Sequence, residues 1–398
     1  MPMKNRATTD ASSPLPLYYQ VKKMIIHEIL RKNLQKGDRI PKEIDICKTY
    51  DVSRITIRRA IAELVSEKIL YRVSGVGTFV NEMKDEDFLI SEKDRQVALV
   101  VPDIEDLAIS AIFSGIQATL QGYDYEVIIY SSGRRIDKEN TNLSHLLQSN
   151  STGAIIFPNW GNTNAAQIFE LKRQNFPFVL IDRYFHDLET DYVVTDNISG
   201  AFEAVSHLIA LGHRRIGFIG GPDNSAGNER KEGYIRALSE HGIVLDQNLI
   251  ATLDKDTYSF PQIEPEHGGY EEVRKLMSIK KRPTAIFAAS DGFALGAMSA
   301  IRELGLNIPQ DVAVVGFDNL KYASLLEVPL TTVAQPFYEI GAKAVEILMN
   351  KFQDKNAPLQ KLILDPELIV RKSCGASAAK QFVQNTGRSR SLFAAAAK

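Results

Sequence analysis

From Gln96 onward the chain repeats one unit: a short, continuous apolar run, then a stretch with helical spacing. The apolar runs are "VALVVP", "YEVIIY", "GAIIFP" and "FPFVLID", and after a helix over residues 197–211 the pattern restarts with "RIGFIGG", "TAIFAAS" and "VAVVGFD". Strands that are apolar on both faces and alternate with helices belong to parallel sheets covered on both sides. Two such series predict an α/β body of two doubly wound lobes. Sheets of this kind take ligands beyond the carboxyl ends of their strands. Those ends carry carboxylates here, at Asp103, Asp182, Asp291 and Asp318.

The first eighty residues have a different texture. They hold 15 Lys and Arg against 8 Asp and Glu, whereas the remainder holds 32 against 41, so a net charge of −2 conceals a basic head on an acidic body. Such asymmetry points to a nucleic-acid module fused to something else. Apolar spacing predicts a helix over residues 17–34, a turn at "QKGDRIP", and helices over 42–50 and 53–67. "ILYRVSGVGTFV" is a hairpin signal with a glycine-containing tip. Residues 1–13 are expected to form a disordered arm, 81–95 a charged linker, and 374–398 a tail with no assigned function.

Within the third helix, Ser53 suits an N-cap. Ile57, Ala60, Ile61, Leu64 and Val65 make an apolar stripe. Arg54 and Arg58 share another face, Arg59 lies beside them, and Thr56 falls in the first turn. A solvated arginine-rich face is the plain alternative. The preceding helix–turn–helix spacing and the following hairpin favour a recognition helix in a DNA major groove. There Arg can pair with guanine and Thr can meet a base edge or phosphate. Gly75 and Gly77 allow a wing tip free of side chains, next to Ser74, with Arg72 adding charge at its base.

Other classes lack their signatures. The two cysteines, Cys47 and Cys374, are too far apart in the chain to suggest a stapled framework or a four-ligand metal site. No phosphate-binding glycine loop, H-E-x-x-H or G-x-S-x-G motif marks an enzyme on the doubly wound fold. His213 in "LGHRR" has no nucleophile nearby and reads as structural. A transport binding protein would carry a signal peptide, which "MPMKNRATTDASS" does not resemble, and would not need a basic head. The expectation is a cytoplasmic chain without cofactor, metal or membrane span.

Two family resemblances sharpen this. "PLYYQVKKMI" and "LQKGDRIPKEIDICKTYDVSRITIRRAIAELVSEKILYRVSGVGTFV" resemble the GntR-type winged helix of the HutC-like kind, over residues 14–80. The resemblance implies DNA contacts from Glu43, Ser53, Arg54, Thr56, Arg58 and the wing Ser74–Gly77. Ile44 departs from it, standing where that family often has a polar or basic residue. Residues 96–373, including "TDNISGAFEAVSHLIALGHRRIGFIGGP", "NERKEGYIRAL" and "RPTAIFAASDGFALGAMSAIRELGLNIPQDVAVVGFDN", resemble the LacI-type, periplasmic-binding-protein-like effector domain. That implies a ligand-responsive transcription factor, read as a repressor. It would be a homodimer on a palindromic operator, with a monosaccharide-like effector between the lobes. The effector contacts implied are Asp182, Arg183, Asn224, Arg230, Asp291, Asp318 and Gln335. The implied pairing surface lies near residues 111–120 and 293–304. Where relatives often carry aromatics after the first strand, this chain has "DLAIS", and Tyr258 or Phe260 is the candidate for the missing ring face; Trp160 has two readings of equal weight, cleft wall or surface loop. The acidic "MKDEDFLISEKD" does not suit a hinge helix in a minor groove.

Overall fold

The structure, a computed structural model, describes residues 17–32, 34–50, 52–66, 68–81, 96–123, 125–159, 165–253, 265–354 and 356–376. The N-terminal arm, the acidic linker, Trp160, Tyr258, Phe260 and nearly all of the tail lie outside these. The N-terminal unit and the body are distinct compact units.

The N-terminal unit has α1 (Leu17–Arg31), α2 (Glu43–Tyr50), α3 (Arg54–Ser66) and the hairpin β1 (Leu70–Val73) and β2 (Gly77–Val80). The stripe read from the sequence is its core. Ile57, Ala60, Ile61 and Leu64 are buried with Val21, Ile25, Ile29, Ile46, Leu70 and Val80. Cys47 packs at the edge of that cluster, as a small gap filler does. The hairpin pairs Leu70 with Val80 and Val73 with Gly77. One element was missed by reading "QKGDRIP" only as a turn. After the turn at Gly37, where φ is 91°, Ile40 N donates to Thr78 O (3.1 Å) and Val80 N to Asp38 O (2.8 Å). Arg39 therefore forms an isolated antiparallel bridge to Phe79 at the edge of the hairpin.

In the body, one sheet has the order β13-β7-β6-β5-β3-β4 and the other β14-β12-β11-β10-β8-β9. The first comprises β3 (Gln96–Val101), β4 (Glu126–Ser131), β5 (Ser151–Ile156), β6 (Phe178–Ile181), β7 (Tyr192–Thr195) and β13 (Lys361–Leu364). The second comprises β8 (Ile216–Gly220), β9 (Ile250–Thr252), β10 (Ala285–Ala288), β11 (Ala313–Asp318), β12 (Thr331–Ala334) and β14 (Glu367–Ile369). Pairs such as β8 with β10 and β5 with β6 are parallel, whereas β14 runs antiparallel to β12. Helices α4 (Leu107–Leu120), α5 (Ile136–Leu146), α6 (Ala165–Arg173), α7 (Asn197–Ala210), α8 (Ser225–Glu240), α9 (Pro265–Ser278), α10 (Asp291–Glu303) and α11 (Phe337–Gln353) complete the alternation. Ile155, Leu180, Ile286 and Val314 are fully buried, as expected of strands covered on both faces. Among the described residues, no helix is long and apolar enough to cross a membrane.

The lobes are not consecutive halves of the chain. After β7 the chain enters the second lobe through α7. It returns through α11, which lies on β5, β6 and β7, and crosses again between β13 and β14. These crossings touch: Thr195 Oγ1 donates to Gln335 Oε1 (2.6 Å), and Asp196 N to Leu364 O (2.8 Å). Across 169 residues of sequence, Gln360 N donates to the Asp191 carboxylate (2.7 Å).

Helices α9 and α10 approach so closely that Gly296 lies against backbone, and an added Cβ would overlap the Glu266 carbonyl oxygen. Backbone cannot yield as a side chain can. Gly296→Ala is therefore expected to destabilise the body by about 3 kcal/mol, the upper part of the overpacking range. Chemical denaturation with an unchanged midpoint would contradict this.

Candidate ligand cleft and nucleic-acid interface

The second body lobe and the strand ends of the first line a cleft of about 230 Å³. That is below the roughly 300–1,000 Å³ usual for drug-sized ligands, so it suits one small molecule. Its wall includes Asp182, Arg183, Asn224, Arg230, Asp318 and Gln335, six of the seven residues expected to touch an effector. Asp182 ends β6 and Asp318 ends β11, as the strand-end rule requires. Both have positive φ, 63° and 120°, as does Asn319 at 55°. Non-glycine residues held so cost of order 1–3 kcal/mol each and cluster at functional sites.

Arg230 organises the second-lobe wall. Its Nε donates to Asn197 Oδ1 (2.8 Å) and its Nη1 to Ala289 O (2.7 Å). Nη1 also lies 3.4 Å from Asp318 Oδ1, and the guanidinium stacks 3.9 Å from the Phe317 ring centroid. Gln335 Nε2 donates to the same Asp318 oxygen (2.7 Å). Gln335 thus joins the cleft carboxylate to the crossing at Thr195. In the first lobe, Arg183 Nη1 donates to Pro158 O (2.9 Å), and its Nε lies 3.3 Å from Asp182 Oδ2.

Two of the expected residues are committed to internal hydrogen bonds, and one of them, Asp291, is off the wall. Asp291 is fully buried and does not line the cleft, although Ser290 and Gly292 beside it do. Ser290 caps α10, so the Asp291 carboxylate turns inward, accepting from Thr332 Oγ1 (2.6 Å) and Leu320 N (2.7 Å). It fixes the loop that carries Leu320 and Tyr322 to the cleft. Asn224 lines the cleft, but its amide caps α8, accepting from Gly227 N (2.9 Å) and donating to Pro222 O (2.9 Å).

Sequence reasoning missed Asp106, Arg134, Phe157, Phe293, Tyr322 and Phe337, all on the wall. Tyr258 and Phe260, the candidates for a ring face, and Trp160 lie outside the described residues; the aromatics on the described wall are Phe157, Phe293, Tyr322 and Phe337. Position after a strand or at a helix start could have flagged Phe157, Phe293 and Phe337. Arg134 is held by Asp103 (3.4 Å), the strand-end carboxylate that stays off the wall. His213 bonds Thr284 Oγ1 (2.9 Å) between two strand starts, a structural role.

Burial pushes the Asp318 carboxyl up to about 7, against the lowering influence of Arg230 and the Gln335 hydrogen bond. Burial first, then Asp318, raises Asp291 as well. An acid whose folded pKa is raised binds its proton more tightly when folded. Stability is therefore lost as pH climbs from about 4, the unfolded value, toward 7, and the loss is complete above that. Asp318→Asn is expected to flatten the fall of melting temperature between pH 5 and 8. An undiminished slope in the variant would exclude this carboxyl as its source.

In the N-terminal unit, Ser53 Oγ accepts from Thr56 N (3.2 Å), the expected cap. The Thr56 hydroxyl is 2.8 Å from Ser53 Oγ and so is turned into the cap rather than outward. Arg54 and Arg58 are exposed. Glu43 holds two arginines at once, with Arg58 Nε at 3.1 Å and Arg72 Nη2 at 3.0 Å. The start of α2, the face of α3 and the base of the wing thereby become one surface. Arg59 lies over the Tyr18 ring (3.8 Å) beside Glu63 (3.8 Å), braced against α1. Ser74, Gly75 and Gly77 form the wing tip, where Gly75 has φ 75°. Arg39 Nη2, unnoticed in the sequence, donates to Val76 O (2.5 Å) and braces that tip.

Comparison with known proteins agrees with both halves. The family profile "Bacterial regulatory proteins, gntR family" matches residues 17–80, and "Periplasmic binding protein-like domain" matches residues 205–374. The arabinose metabolism transcriptional repressor of Geobacillus stearothermophilus is 31% identical over 366 residues, 90% of this chain and 98% of that protein. Among solved structures, a LacI family transcriptional regulator from Enterococcus faecium with bound ribose is 27% identical. It aligns with a TM-score of 0.59, covering 70% of this chain and 98% of its own. A complex of the transcriptional regulator CelR with cellobiose is 27% identical, with a TM-score of 0.64 over 81% of this chain and 91% of its own. The chain belongs to the family of bacterial transcriptional repressors that join a gntR-type winged helix to a LacI-type, periplasmic-binding-protein-like body.

Proposed function

We propose that this ligand-responsive regulator acts in the cytoplasm as a homodimer. It reads a palindromic double-stranded DNA operator through α3 and the wing, and a neutral monosaccharide in the body cleft modulates it. The observation that carries the reading is the cleft itself. Asp182, Asp318, Arg183 and Arg230 bracket a small volume with carboxylates and guanidiniums, and Phe157 and Phe293 add apolar edges to its wall. Hydroxyls both donate and accept, so carboxylates and guanidiniums can satisfy them together. The arabinose and ribose relatives support a pentose as the first candidate.

One recognition helix covers too few base pairs to find a genomic site, so two copies are expected. The exposed sides of α4 and α10 are the pairing surface favoured here. A sugar bridging the two lobes closes them about the three touching crossings. In a dimer that closure alters the half-site spacing its two heads span.

The test combines a thermal-shift series over neutral pentoses, hexoses and their phosphates with gel shift on DNA selected from a random pool. A neutral sugar at about 100 times its Kd should stabilise the body by about 2.7 kcal/mol and change the gel shift. Sedimentation should show a dimer. A monomer at micromolar concentration, or DNA affinity indifferent to a sugar that binds, would refute the mechanism.

A further inference from the structure

The basic face of α3 has an apolar centre. Core positions Ile57, Ala60, Ile61 and Leu64 define the inward side of the helix. At 100° per residue, Ile55 points almost directly away from them, bracketed one turn on by Arg58 and Arg59. It is 81% exposed, a β-branched residue in the first turn that gains nothing there from burial. Ile44 at the start of α2 is 47% exposed. It adjoins Glu43, whose carboxylate touches both Arg58 and Arg72, so it borders the same surface. It is also the residue that departs from the polar pattern of the GntR resemblance. Single exposed apolar residues are ordinary, but an isoleucine 81% exposed between arginines on the outward face of α3 is set where a contact with a partner would form.

Charge complementarity names the occupant. A surface carrying Arg54, Arg58 and Arg72 around isoleucine fits a DNA major groove, where the only apolar group on a base edge is the thymine C5-methyl. We propose that Ile55, aided by Ile44, reads thymine methyl groups. Each operator half-site would then set thymine beside the guanines that the arginines contact. The inference rests on the DNA-binding reading of this unit and adds the base identity that it selects. Arginine alone specifies guanine, whereas the isoleucines disfavour cytosine at the neighbouring position, where C5 carries only hydrogen and the aliphatic side chain loses its methyl contact.

The experiment uses the full chain and the DNA it recovers from a random pool. Each thymine of the half-site is replaced singly by deoxyuridine, which keeps every hydrogen bond and removes only the methyl. Affinity should fall about four-fold at one or two positions, the worth of one buried methyl group, and about sixteen-fold when both half-sites are changed. In Ile55→Ala the same replacement should have no further effect, while Ile55→Val should keep it. Both variants should melt with the wild type because the side chain is exposed. Were Ile55→Ala to melt early, the thymine dependence of wild type and Ile55→Val would still decide. Recovery of a defined sequence with no sensitivity to deoxyuridine, or equal sensitivity in Ile55→Ala, overturns this inference alone. Loss of self-association in Ile44→Ala/Ile55→Ala with DNA affinity unchanged would also overturn it, assigning the patch to a protein contact. If no sequence is recovered, the DNA-binding reading itself fails.

Discussion

Arg58→Ala is expected to lower operator affinity by between about 30-fold and 10⁴-fold without changing the melting temperature. A bidentate arginine–guanine contact is worth about 1–3 kcal/mol, and a dimer loses it twice. The folded protein loses little. Arg58 is 64% exposed at its side chain, and its ion pair with Glu43 is of the surface kind, worth at most about 1 kcal/mol. Salt dependence separates the two ways in which affinity could fall. If Arg58 reads a base, discrimination between operator and random DNA collapses. If it touches only phosphate, affinity falls alike on every sequence and the salt slope drops by about one per contact. Gel shift at two salt concentrations distinguishes these, and unchanged operator affinity would remove Arg58 from the interface.

Arg230→Ala is expected to weaken effector binding by about 30-fold or more while leaving DNA binding intact. The guanidinium is held by Asn197, Ala289 and Asp318, and its side chain is only 8% exposed. Truncating one partner of a buried, hydrogen-bonded charge pair typically costs about 2–5 kcal/mol, much of it from the charge left behind. That charge is Asp318, whose carboxyl would move higher still. Arg230→Lys guards against a folding defect, since it keeps the charge and loses the planar fork. Calorimetry with the identified sugar is the measurement, and wild-type affinity in both variants would sink the cleft assignment. The operator should stay occupied at sugar concentrations that modulate the wild type.

Much of this architecture was legible because it rests on periodicity. The stripe Ile57–Leu64 and the seven apolar strand runs each declare themselves within a few residues. Strands β7, β9, β12, β13 and β14 were not declared, being three or four residues long and partly built from threonine or charged positions. Their identity depends on partners far along the chain. The cleft residues at strand ends followed from topology, but orientation did not. Asp291 and Asp318 look alike in sequence, each next to a strand end. Only the cap at Ser290 and the hydroxyl of Thr332 turn one inward, while the other remains at the cleft. Likewise the sequence places Thr56 in the first turn of α3 but does not show that its hydroxyl lies 2.8 Å from Ser53 Oγ.

The interleaved crossings have a consequence for synthesis. The first lobe begins with β3 yet cannot finish its sheet until β13, and its face over β5, β6 and β7 stays bare until α11 arrives. The second lobe waits for β14, the last strand. A chain emerging from the ribosome at about 5–20 residues per second therefore presents the DNA-binding unit complete many seconds before either lobe can close. Prematurely ended chains would carry a finished head with no working sensor and no finished pairing surface. The fold places completion of both lobes at the very end of translation, so on the proposed dimeric mechanism a nascent or broken copy would be a single head without a sensor.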